Sequence, residues 1–291
     1  MKKEYIYAGT SIFCWSTVAT ITKLLMGSIN HFQLLWLSSL FAFLALFSFN
    51  LITGKLKLLR QYRLKDLCTM ALIGLPGTFF YYVFYYAGSA RMLASQAFTV
   101  NYLWPIMSVV FACLILKEKL TVRKIIAIAI SFIGVAIVTC GELAQLNSNT
   151  LMGTALCIGG AVSYGIFTSL NKKYHYYKRI SMMINYIVTF LLTTVINAVN
   201  SDLFLPTATE ALGIAWNGMI TMAVAGTAWV MALDVGKTEK ISNLAYITPF
   251  LSLVWTSLIL KEPFNPLNLV GLMVIVGGIL IQFSEKKKTI A

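Results

Sequence analysis

The chain has 291 residues, of which 58% are hydrophobic and only 11% charged. Soluble domains carry about 25% charge, so the composition excludes an ordinary soluble globule and points to a polytopic membrane protein. The formal net charge of +13 fits basic loops retained on one side of a membrane rather than a nucleic-acid surface.

Ten spans are predicted: 6–26, 31–52, 66–87, 93–116, 120–140, 151–171, 180–199, 211–235, 240–260 and 265–283. Each is near the roughly 20 residues that a helix needs to cross the hydrocarbon core. The connections are too short for a soluble domain. The first span follows Lys2-Lys3, a start that imitates a signal peptide. No clear small-residue cleavage site follows, so it is read as a span. Trp15 and Ser16 lie near its middle and Lys23 in its last turn. The third span crowds Tyr81, Tyr82, Tyr85 and Tyr86 into its outer half, where they face an outer vestibule or form an interfacial aromatic belt.

The fourth span contains Val100-Asn101-Tyr102-Leu103-Trp104-Pro105. A proline there removes a backbone donor and clashes with the preceding turn, so it bends or breaks the helix. In a bilayer such a break persists only against other helices or a cavity. The fifth and tenth spans are nearly free of polar residues and are read as peripheral, with Gly134 and Gly277-Gly278 allowing close approach. The first, third, fourth, sixth, eighth and ninth spans carry the Tyr, Trp, Asn, Ser and Thr and are expected to line a path.

The ninth span echoes the fourth. Tyr246-Ile247-Thr248-Pro249 ends in Leu260-Lys261-Glu262, as Tyr102 to Pro105 leads to Leu116-Lys117-Glu118. The offset is constant: 249 − 105 = 144 and 262 − 118 = 144. It also relates Ser108 to Ser252, Gly134 to Gly278, Gly9-Thr10 to Gly153-Thr154 and Gly74 to Gly218. Residues 1–141 and 142–291 are therefore read as two copies of one five-helix unit. An odd number of spans per unit inverts the second copy. With the N-terminus in the cytoplasm, 20 of the 23 Lys and Arg fall inside and only Lys23, Arg91 and Lys261 outside, which favours cytoplasmic termini in an inner (plasma) membrane. The expected fold class is an all-α membrane protein of ten transmembrane helices, two inverted five-helix repeats around a central cavity. Inverted repeats with broken helices near the midplane are a transporter signature.

Five cysteines, Cys14, Cys68, Cys113, Cys140 and Cys157, fall in or beside apolar runs without any CxxC or Cys/His pairing. They are read as packing residues, and neither a metal nor a cofactor is expected. All ten carboxylates lie in loops or at span ends, whereas proton-coupled carriers usually keep an ionisable group at a helix centre. Asp234 alone could do such work, or it pairs with Lys237. An intramembrane enzyme would need paired carboxylates, a His cluster or an activated nucleophile in the membrane; His31 and His175 are both placed in loops.

Two five-helix units, each with a Pro helix, a Leu-Lys-Glu junction and a Gly-containing last helix, resemble the EamA-type transporters of the drug/metabolite transporter superfamily. Within it, Cys14-Trp15-Ser16-Thr17, Lys23, Asn101 to Pro105 and Asn171-Lys172-Lys173-Tyr174 look like the bacterial aromatic amino acid exporters. The resemblance implies a ten-helix basket with a central cavity, exporting aromatic amino acids or similar compounds, often with broad specificity.

Trp15, Ser16, Asn101, Tyr102, Trp104, Tyr164, Tyr246 and Thr248 count as mid-membrane residues and are the candidate substrate site. Trp and Tyr ordinarily favour the interfaces, and their polar tips need partners when buried. They either line an aromatic cavity that stacks flat substrates or pack helices with local hydrogen bonds. Asn101 bonds a substrate or the carbonyls freed by Pro105. Pro105 and Pro249 are the candidate gate bends. Lys23 attracts a substrate carboxylate or snorkels to the headgroups. The expected partners are a small-molecule substrate and the bilayer, with the protein a monomer or weak homodimer.

Overall fold

The computed structural model describes residues 3–119, 121–140, 147–200, 202–235, 244–245, 247–262 and 266–283, with no strand among them. The helices are α1 (Lys3–Ser16), α2 (Val18–Leu25), α3 (His31–Ile52), α4 (Leu64–Leu75), α5 (Tyr81–Ser89), α6 (Ala94–Asn101), α7 (Trp104–Ile115), α8 (Val122–Cys140), α9 (Ser148–Lys173), α10 (Lys178–Val199), α11 (Ala208–Ala215), α12 (Ala225–Val235), α13 (Ile247–Ile259) and α14 (Pro266–Phe283). Among the described residues six helical segments are long and apolar enough to cross a membrane, and three shorter apolar helices accompany them.

Two of the long segments are not plain α-helices. Between α4 and α5 the chain runs through a π-helical turn, Pro76–Phe80, and between α11 and α12 through a longer one, Trp216–Val224. The local chemistry explains both. Thr78 Oγ1 donates to Gly74 O at 3.1 Å and Thr221 Oγ1 to Asn217 O at 2.6 Å. Each hydroxyl takes the carbonyl that a backbone N–H four residues on would use, which favours the wider turn. In the first case Pro76 also lacks a donor. The first predicted span is broken as well. Ser16 Oγ and Thr17 Oγ1 donate back to Phe13 O and Cys14 O, both at 2.7 Å, and α1 gives way to α2 at Thr17.

Some helix starts are capped by side chains. Asn30 Oδ1 accepts from Phe32 N and Gln33 N while Gln33 Oε1 accepts from Asn30 N, all at 2.9 Å. Two helix ends are alike and unusual. Lys117 and Lys261 have φ of 57° and 53°, the only non-glycine residues with positive φ among those described. After each, the next glutamate folds back: Glu118 N donates to Ala112 O and Glu262 N to Thr256 O. The two endings are 144 residues apart.

The packing carries the same relation. α3 packs on α10, and α8 on α14. The contact of α1 with α12 is matched by that of α9 with α5, and the contact of α9 with α7 by that of α1 with α13. At the α8–α14 seam a Cβ on Gly134 would meet Gly271 O and Ile275, and one on Gly278 would meet Ala127 O and Ser131. Adding 144 to 127 and 131 gives 271 and 275. Close approach was expected of Gly277 too, but it faces open space, because its neighbour on the helix takes the seam.

Cys14 and Cys157 are buried as expected, Cys113 is half-buried, and the side chain of Cys140 lies outside the described residues. Cys68 is exposed. Leu64 and Leu72 are exposed four residues to either side of it, so Cys68 sits on the outward apolar stripe of α4 rather than in the core.

Candidate functional site

A cavity of about 690 Å³ of non-atom space, its open mouth included, lies among α1, α2, α5, α6, α7, α9, α10, α12 and both π segments. Of the residues singled out from sequence, Trp15, Asn101, Tyr102, Trp104 and Tyr164 line it. The Pro105 break leads there: α6 ends at Asn101, α7 starts at Trp104, and the rings of Tyr102 and Trp104 come together on the wall. Their centroids are 6.1 Å apart, and Trp104 meets Tyr164 edge-on at 5.1 Å and 78°. Tyr164 in turn contacts Tyr81 at 4.9 Å and Phe167 at 5.6 Å. Edge-to-face rings at these distances attract each other beyond simple burial.

The polar tips are tied to the wall. Trp15 Nε1 donates to Thr221 O at 3.1 Å and Tyr186 Oη to Met222 O at 3.2 Å, both carbonyls of the Trp216–Val224 turn. Tyr102 Oη donates to Ala245 O. Asn101 Nδ2 donates to Tyr81 Oη at 3.0 Å. Asn101 Oδ1 is buried with no partner among the described residues and lies toward Gly160 of α9. No charged side chain is among the residues lining the cavity.

Other expected site residues lie elsewhere. Ser16 is buried beside the cavity, its Oγ accepting from Trp255 Nε1 at 2.9 Å. Thr248 is buried on α13 and takes no part in the wall. Neither Pro105 nor Pro249 lines the cavity. Tyr246, with the loop residue Lys237, lies outside the described residues, as does the side chain of Asp234. Lys23 neither points to the cavity nor reaches outward; its Nζ donates to Ser89 O at 3.0 Å and Met92 O at 2.7 Å.

The four tyrosines of the third span form no exposed belt. Tyr81 and Tyr82 line the cavity, and Tyr85 and Tyr86 are fully buried. Tyr86 Oη accepts from Asn217 Nδ2 at 2.6 Å. The seventh span, not expected on the path, supplies Met182 and Tyr186. Gly77, Thr78 and Tyr82 face the cavity together with Thr221, Met222 and Gly226. These are pairs 144 residues apart, so the offset between Gly74 and Gly218, carried down the helices, already indicated them.

A helical bundle of membrane-spanning length closed around an aromatic cavity has the make-up of a small-molecule carrier. Residues 2–140 and 151–284 each match the model of the EamA-like transporter family, and the chain belongs to that family. It is similar to an uncharacterized transporter of Archaeoglobus fulgidus, 25% identical over 97% of this chain and 98% of that one. It is also similar to one of Clostridium kluyveri, 25% identical over 99% and 95%. A solved crystal structure has the same fold, with TM-score 0.69 at 20% identity over 96% of each chain.

Proposed function

We propose that the protein exports small organic metabolites, aromatic amino acids or related compounds foremost, by alternating access between two inverted halves. The aromatic cavity shared by the two family-matching segments carries this proposal. Its rings offer stacking faces, and the lack of charge on its wall suits a substrate of zero net charge, such as a zwitterionic amino acid. Two five-helix units, 1–141 and 142–291, are supported by the 144-residue relation in the packing, the paired lysine turns and the reciprocal glycine seam. In this reading the ten crossings would be the six long and three shorter apolar segments and the broken α1–α2 pair.

Proteoliposome flux tests the proposal. Purified protein should release preloaded phenylalanine and tryptophan at least about ten-fold faster than leucine or lysine, the ratio set by the roughly 1–3 kcal/mol of ring stacking. Equal rates for all four would remove the aromatic preference. A broad-specificity exporter is favoured by Met182 and Met222 on the wall, since methionines adapt to many shapes. Flux of unrelated apolar compounds at rates similar to those of the aromatic amino acids would identify that case.

Both termini are proposed to face the cytoplasm of the inner membrane, on the 20-to-3 distribution of Lys and Arg. Lys57 and Ser148 are both exposed. With native cysteines replaced, an impermeant thiol reagent added to intact cells should label Ser148→Cys and spare Lys57→Cys. The opposite pattern would reverse the topology.

A further inference from the structure

Glu262 lies just past the end of α13, after Leu260 and Lys261. The positive φ of Lys261 turns the chain back, so that the Glu262 carboxylate reaches the start of α6. Oε1 accepts from Ala94 N at 2.7 Å and Oε2 from Ser95 N at 3.2 Å. Carboxylates are favoured at helix N-termini, where amide donors lack helical partners and the helix dipole is positive. The same turn is held from its other side by the opposite charge. Lys23 Nζ, from α2, takes Ser89 O, at the end of α5, and Met92 O, in the turn before α6. One segment, 89–95, is therefore gripped by a cation on its carbonyls and an anion on its amides. Asn268 of α14 adds a further contact, its Nδ2 lying 3.5 Å from Ser95 Oγ.

What is gripped matters. α6 is eight residues, about 12 Å, and all of them are buried. Its far end delivers Phe98, Asn101 and Tyr102 to the cavity wall and stops at the break before Trp104-Pro105. α6 thus resembles a short lever, fixed at one end by two charges and hinged at the other by the break. α2, α6 and α13, the three helices meeting there, pack on one another.

We propose that Glu262 and Lys23 are gating residues, a charged latch whose release lets α6 swing and opens this end of the path. The end is the outer one in the topology proposed above, and the assignment rests on the carrier reading of the cavity. In this role Lys23 works on the backbone of the gate instead of on a substrate carboxylate.

The test uses the full chain in nanodiscs, with Cys14, Cys68, Cys113, Cys140 and Cys157 replaced and a single Ser252→Cys reporter. Ser252 is buried on α13 and its Oγ has no partner among the described residues, so the cysteine costs no hydrogen bond. Labelling of this thiol by a maleimide reports how often the α13 contacts part. Glu262→Gln, which loses the charge at nearly constant shape, should label about ten-fold faster, the scale of one lost charge-assisted hydrogen bond. Glu262→Asp should fall between Gln and wild type, and Lys23→Met should accelerate labelling from the other side of the turn. Wild-type rates in both Glu262→Gln and Lys23→Met would overturn the latch. If Glu262→Gln does not fold, Lys23→Met decides by the same criterion. Because labelling is measured without substrate, its result is independent of whether the flux assay supports aromatic export.

Discussion

Trp104→Ala should weaken phenylalanine binding by about ten-fold or more, while Trp104→Phe should weaken it less. Stacking of a flat ligand on one aromatic side chain is worth roughly 1–3 kcal/mol, and each 1.4 kcal/mol is a factor of ten. Trp104 suits the experiment because its ring touches Tyr102 and Tyr164 and no hydrogen bond of its indole N–H appears among the described residues. Phe keeps a stacking face, smaller by the five-membered ring that carries that donor. Trp15 is a poorer choice, since its indole is bonded to Thr221 O and its loss would also disturb the wall. Phenylalanine as ligand leaves the protein's own tryptophans as the fluorescent signal. An unchanged dissociation constant for Trp104→Ala would mean that substrate does not meet this ring.

Gly218→Ala is expected to have the largest effect on stability. A Cβ there would stand 2.3 Å from Ser38 O and 2.8 Å from Phe41 Cβ, and the first of these is backbone of α3, which cannot step aside alone. Overpacking of this kind costs about 1–3 kcal/mol and sometimes more. The site adjoins Asn217, which donates to Ser38 Oγ and Tyr86 Oη, so a shift of α3 would break those bonds too. Gly277→Ala is the control, with nothing within 4 Å of the added carbon and a slight gain expected from helix propensity. Melting in detergent should show a midpoint for Gly218→Ala lower by several degrees, at about 2–4 °C per kcal/mol. Similar midpoints for the two variants would contradict the close approach of α3.

Much of the bundle was legible because apolar length and proline position act through local physics. A break at Pro105 follows from a missing donor, and Trp104 and Tyr164 reach the cavity because they sit at mid-helix on spans that meet. What hydropathy could not give is rotation. Thr248 and Ser16 were chosen by their position along the span, but where nearly every neighbour is apolar no contrast fixes which face turns inward, and neither lines the cavity. Tyr186 was missed for the same reason. Lys23 was judged by charge alone, although the carbonyls of Ser89 and Met92, in the turn between α5 and α6, were the nearer partners. The π turns escaped notice because hydropathy does not record hydrogen-bond register. Their threonines, at Thr78 and Thr221, became informative only once the carbonyl each one takes was known.

A π turn is an α-helix with one residue more than its hydrogen bonds require. Successive α-helical residues are rotated by about 100°, and the wide turn of Pro76–Phe80 takes up the rotation of its surplus residue, so everything after it faces as in a plain α-helix one residue shorter. Deleting one residue there would let the helix close into regular α register with Tyr81 and Tyr82 still on the face toward the cavity. A one-residue deletion in the plain α-helix before the wide turn would instead rotate the two rings by about 100°. This segment can therefore change length by one residue more readily than the plain α-helical stretches around it, and an alignment of related chains that opens a one-residue gap within it still joins residues facing the same side of the helix.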